Sequence, residues 1–136
     1  MEPVTVSVRV ACPPELAWHA FTDPSSVMAW NFASPDWCCP RARNDLRVGG
    51  TYCYRMESRD GSMGFDFEGQ YLEIVPNQRL RFDMGPEREV LVEFVDLGTA
   101  TEVRQTFTPE QTHTLEQQRE GWQAIMDNYR RHVESL

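Results

Sequence analysis

Asp66 and Glu68 stand two residues apart in Phe65-Asp66-Phe67-Glu68, and Asp36 precedes Trp37. These carboxylates are the groups that proton transfer in a cavity would call on. Alternation along a strand sends Asp66 and Glu68 to the face opposite Phe65 and Phe67, so a solvated outer face is their expected place. With the faces inverted they become a buried acid pair. Gln105 differs, because it shares a face with Val103 and Phe107, and a polar group there must find a partner in the protein or in a ligand. Cys38 and Cys39 are adjacent, but a nucleophilic thiol needs a low pKa beside a base, and spacing places none of His19, His113 or His132 to supply one. Cys12, Cys38, Cys39 and Cys53 lack the ligand spacings of zinc sites, so no metal is expected. Gly49-Gly50 lacks the lysine and helix of a phosphate loop, which implies no nucleotide cofactor. No catalytic residue is assigned.

The elements that must position these groups begin, for the argument, at the end of the chain. From Thr114 to Leu136, Leu115, Trp122, Ile125, Met126, Tyr129, Val133 and Leu136 share one side of a helix. Thr114 and Gln117 have the spacing of a capping box, and Arg130, Arg131 and His132 suit the negative pole. Gln118 and Gly121 interrupt the stripe. Either the first turn frays and the glycine marks a close crossing, or the first half of the helix roofs a partly polar cavity.

A helix this long needs a sheet to lie on. Val4, Val6, Val8 and Val10 alternate with polar residues in a first strand. Pro13-Pro14 opens a short helix that ends at Asp23-Pro24, and Ser25 is placed to cap a second through Val27, Met28 and Trp30. Asn31 to Arg43 reads as irregular, crowded with Trp30, Phe32, Trp37, Cys38 and Cys39; such a loop plugs a core or lines a pocket mouth. After the Gly49-Gly50 bend come strands with Tyr52, Tyr54 and Met56 on one face, the Asp60-Gly61 hairpin turn, and then Phe65, Phe67 and Tyr71. Further turns at Pro76-Asn77, Gly85-Pro86 and Gly98 give an antiparallel meander. The fold class is α+β: a curved antiparallel sheet around a long C-terminal helix, with two short helices after the first strand.

The 136 residues suit a single domain across 1–136, with 40% hydrophobic and 25% charged residues as in ordinary globules. A net charge of −8 argues against nucleic acid and against anionic membranes. All thirteen basic residues are arginine, which excludes lysine Schiff-base chemistry. No secretory signal or spanning apolar run is visible, so a cytoplasmic protein with free thiols is expected.

Five segments carry a family resemblance: AWHAFTDP (Ala17 to Pro24), AWNFASPDW (Ala29 to Trp37), DLRVGG (Asp45 to Gly50), RMESRDGSMGFDFEGQY (Arg55 to Tyr71) and GWQAIMDNYRRHVE (Gly121 to Glu134). In this order they resemble the START-like, or helix-grip, superfamily (SRPBCC), and within it the homologues of the activator of a heat-shock-protein ATPase. The resemblance implies a cavity between sheet and helix and no particular reaction, because this fold hosts carriers, cyclases, receptors and co-chaperone modules. Cys38-Cys39 departs from the aromatic or histidine expected after the second tryptophan of the loop, so no ligand preference is carried over.

Three functions follow. The first is a module binding a hydrophobic small molecule among Trp30, Trp37, Cys38, Tyr52, Tyr54, Phe65, Phe67, Gln105, Gln118, Trp122 and Met126, with Arg43 as a further polar anchor. An ordinary aromatic core explains the same apolar residues. The second is a cyclase- or dehydratase-like enzyme acting in that cavity. The third is an interaction module meeting a chaperone through its acidic surface. A monomer or small homodimer is expected.

Overall fold

A computed structural model describes residues 2–136. The chain runs β1 (Val4–Val10), α1 (Pro14–Thr22), α2 (Pro24–Trp30), β2 (Trp37–Asn44), β3 (Thr51–Ser58), β4 (Gly64–Val75), β5 (Arg79–Asp83), β6 (Glu89–Asp96), β7 (Thr101–Phe107) and α3 (Leu115–Glu134). The strands form one antiparallel sheet in the order β1-β7-β6-β5-β4-β3-β2, curled around α3. The two short helices cross from one edge strand to the other.

The curl is concentrated in β4. Its first half, Gly64 to Gln70, pairs with β3, and its second half, from Tyr71, pairs with β5. Gly69 sits at the change of partner, where a Cβ would lie 2.1 Å from the Asp83 carbonyl oxygen. Only a glycine lets the end of β5 approach that closely. The β3–β4 hairpin closes through Asp60-Gly61, with Gly61 at φ +79°.

Inward residues are those that alternation selects. Val4, Val6, Val8 and Val10 on β1, and Tyr52, Tyr54 and Met56 on β3, are buried. On α3, Met126, Tyr129 and Val133 are buried while Leu115 is exposed, as is Leu136 two residues beyond its end. The buried part of the apolar stripe is therefore shorter than periodicity indicates. Thr114 and Gln117 form the expected reciprocal cap.

Two local expectations are corrected. The second helix is capped by Asp23, whose Oδ2 accepts from the Ser26 N–H at 3.1 Å, and not by Ser25. Trp37 to Asn44 is an edge strand, not irregular chain, and it accommodates Pro40 where the register with β3 shifts between Cys38 and Arg41. An edge strand tolerates proline because one row of its N–H groups has no ladder partner.

Candidate functional site

Two aromatic clusters face each other beneath α3. On one side Phe21 and Trp30 lie 5.3 Å apart and meet Tyr129, while the Trp30 indole N–H donates to the Ala20 carbonyl. On the other, Tyr52 lies within 5.0–5.6 Å of Tyr54, Phe67, Tyr71 and Phe82. Trp122 closes the top, stacked on Phe107 with centroids 4.1 Å apart and planes within 6°. Between the clusters is a hollow of about 240 Å³, lined by Phe21, Trp30, Asn31, Tyr54, Met56, Phe65, Phe67, Phe82, Met84, Arg88, Gln105, Trp122 and Ile125. Met56, Phe65, Trp122 and Ile125 also wall an adjoining groove of about 350 Å³, which runs past Trp37, His113, Gln118 and Gly121 to the surface.

The hollow has four polar side chains. Gln105 is 7% exposed as a residue; among the described residues no group hydrogen-bonds its carboxamide, whose oxygen and nitrogen are not fully buried but reach the open space. Asn31 is buried beside the Cys39 thiol. The Tyr54 hydroxyl receives the Asn44 amide at 3.3 Å and lies 3.5 Å from the Tyr71 hydroxyl; burial pushes its pKa up. Arg88 is half-buried, with two guanidinium nitrogens donating to the Thr108 carbonyl at 3.3 and 3.4 Å. It is the one charged residue of the lining, and no carboxylate among the described residues is paired with it. Among the described residues, no carboxylate, imidazole or thiol lines this hollow.

The residues singled out from sequence divide into groups. Trp30, Tyr54, Phe65, Phe67, Gln105 and Trp122 line the hollow, and Trp37 and Gln118 line the groove. Tyr52 and Met126 are packed into the core, the Tyr52 hydroxyl donating to the Asp83 carbonyl at 2.7 Å. Cys38 lies on β2 opposite Glu57, away from both spaces. Gln118 is buried but fully used: its Oε1 accepts from Glu110 N–H at 2.8 Å, and its amide donates to the carbonyls of Glu110 and His113. Gly121 makes no close crossing, since a Cβ there would meet nothing within 4 Å.

Arg43 and the carboxylates Asp36, Asp66 and Glu68 are not in the hollow. Asp36 is exposed, and Arg43 and Asp66 border a depression on the outer face of the sheet. There Cys53, Asp66 and Glu68 bring their ligand atoms within 4.8 Å of one another. Burial first, and then the two carboxylates, push the Cys53 thiol up, while Arg55 pairs with Asp66 at 3.4 Å. The buried Cys39 thiol is pushed to about 11, chiefly by burial. His19 is exposed, and His113 is held by Glu110 at 3.1 Å on the groove's rim. No two cysteines are bridged.

Sequence reasoning did not place Phe21, Met56, Phe82, Met84 or Ile125 in the lining, and Arg88 and Asn31 are the polar lining groups that it missed. Asn31 follows the last residue of α2, where helical periodicity has ended. Arg88 lies in the β5–β6 turn, where the Met84 N–H bonds the Arg88 carbonyl and Glu87 adopts φ +62°. Turn geometry, not strand alternation, swings its side chain inward, and the one available signal was an arginine between the inward Met84 and Val90.

This architecture has close counterparts. An AHSA1-like protein from Aeromonas hydrophila is 41% identical, with 97% of this chain and 93% of that one covered at a TM-score of 0.88. A protein from Cytophaga hutchinsonii is 38% identical over 98% of this chain and 92% of its own, TM-score 0.84. One from Nitrosomonas europaea shares the fold at 21% identity and TM-score 0.82, with 98% and 95% covered. No curated protein matches the chain. Residues 11–134, which include every residue lining the hollow and the groove, match the model of one family. The chain thus belongs to the family described as activator of Hsp90 ATPase homolog 1-like proteins, with the helix-grip fold.

Proposed function

We propose that the chain is a binding module that takes a small hydrophobic molecule into the hollow between α3 and the sheet. The observation that carries this is Gln105: a residue 7% exposed whose carboxamide has no protein partner among the described residues and opens onto the hollow, on a wall of aromatic and methionine side chains. A polar group left free on an apolar wall is placed to hydrogen-bond a ligand's polar atom. A mostly apolar space with a few polar groups is the usual form of a small-molecule site. At about 240 Å³ it falls below the roughly 300–1,000 Å³ of drug-sized sites, which favours one or two rings over a two-chain lipid.

Catalysis fits the lining less well. General acid–base chemistry needs a group that exchanges a proton near the working pH. A guanidinium such as that of Arg88 has donors and no acceptor, and burial pushes the Tyr54 phenol up, so the lining donates hydrogen bonds but takes no proton. Thermal shift with a panel of one- and two-ring aromatics tests the reading. At a hundredfold excess over Kd, binding adds about 2.7 kcal/mol. That is a rise in Tm of roughly 8–16 °C for a chain of this size. Quenching of Trp122 should saturate at the same concentration. A panel that leaves both Tm and fluorescence unchanged would reject it.

The family description and the net charge of −8 favour a second reading, docking on a basic patch of a chaperone. It requires saturable binding to Hsp90 that weakens steeply with salt.

A further inference from the structure

We infer that the molecule held in the hollow is a small planar aromatic monocarboxylate, its rings between Phe67 and Trp30 and its carboxylate on the Arg88 guanidinium. This deepens the binding reading and rests on it. Among the described residues, Arg88 is the only charged group on a lining otherwise built of aromatic, methionine, isoleucine and neutral polar side chains. Its Nε and one terminal nitrogen share the Thr108 carbonyl through long bonds, and the other terminal nitrogen is unengaged among the described residues. The neighbouring acids are largely committed elsewhere. Asp83 Oδ1 accepts from Gln70 and Gly85 N–H groups, and Glu89 pairs with Arg81 at 3.4 Å. Asp83, Glu87 and Glu89 border the outer side of the turn, and none of the three lines the hollow.

Arg88 also borders an open depression of about 610 Å³ outside the β5–β6 turn, so it stands between interior and solvent. A carboxylate there keeps part of its hydration while its ring is buried, which lowers the desolvation cost that a charge deeper inside would carry. Guanidinium groups pair bidentately with carboxylates, and planar rings suit the flat faces of the walls. The unpartnered Gln105 marks the interior as one that accepts a polar atom rather than pure hydrocarbon.

The test is calorimetric titration with 2-naphthoate and 2-naphthamide, which share ring system and size but differ in charge. The acid is expected to bind at least tenfold more tightly. Arg88→Gln should remove that preference, weakening the acid at least tenfold while changing the amide less than twofold; Arg88→Lys should keep part of it. Equal binding of the two, tighter binding of the amide, or a preference that survives Arg88→Gln overturns the acid assignment and leaves the binding module intact. Failure of both compounds, together with a silent aromatic panel, removes the module and this inference with it. If Arg88→Gln does not fold, the ratio in the native protein and its behaviour in Arg88→Lys still decide.

Discussion

Gln105 and Gln118 have the same side chain and opposite situations. Both are polar groups on apolar faces, and the sequence marks both. Only the structure separates them, because the partners of Gln118 come from the 108–114 connection folding back over α3, which no local pattern specifies. Gln118→Ala strands the Glu110 N–H and should cost about 1–3 kcal/mol in urea unfolding, whereas Gln105→Leu, which strands nothing, should change stability by less than about 1 kcal/mol. Equal losses from the two would mean that Gln105 has a protein partner after all. The four tyrosines make a pH test. Burial raises Tyr52, Tyr54, Tyr71 and Tyr129 above the ordinary value of 10.0, and Cys39 from 9.0 to about 11. Each is protonated in both folded and unfolded chains at neutral pH. Above the unfolded values the unfolded chain releases protons that the folded one holds, so stability is complete below pH 9 and falls as pH climbs toward and past 11. Tyrosinate absorbance should stay low past pH 10 and then rise with unfolding; a gradual titration centred near 10 would place the phenols in solvent.

At the scale of elements, glycines distinguish packing from vacancy. Gly121 in α3 faces open space, so Gly121→Ala meets no clash and should stabilise the helix by about 1 kcal/mol. Gly69 in β4 faces the Asp83 backbone at 2.1 Å, so Gly69→Ala should destabilise by about 1–3 kcal/mol through overpacking. Chemical denaturation of the two variants checks both signs, and a stabilised Gly69→Ala would contradict the bend assigned to β4. The spacing of turns and alternating residues makes six of the seven strands and all three helices legible. It misses β2, where Pro35, Pro40 and paired cysteines mimic a loop, because strand character there comes from pairing with β3 rather than from local preference. Leu115 and Leu136 belong to the stripe by periodicity and lie outside the core, Leu115 at the first residue of α3 and Leu136 beyond its last.

For the molecule as a whole, the family was legible because its motifs run nearly end to end, and with it the expectation of a cavity; the size of the hollow was not, because a volume is set jointly by thirteen side chains from most of the elements. Both edges of the sheet are guarded. Arg119 and Gln123 on α3 donate to the Thr5 and Ser7 carbonyls at 2.9 and 3.1 Å, and β2 carries Pro40, Arg41 and Arg43. Unpaired edges invite strand addition and these devices oppose it, so sedimentation should give a monomer; a strand-paired dimer would contradict the guarding role. No helix among the described residues is long and apolar enough to cross a membrane.

The central claim, occupation of the hollow by a small aromatic molecule, is read most directly by methyl NMR of the protein titrated with 2-naphthoate and 2-naphthamide. Met56, Met84 and Ile125 line the hollow, while Met28 and Met63 are exposed, at 40% and 63%. The account predicts ligand-to-methyl cross-peaks and saturable one-to-one shifts at Met56, Met84 and Ile125, with Met28 and Met63 unmoved. Shifts confined to the exposed methionines, or none at any concentration, would contradict it.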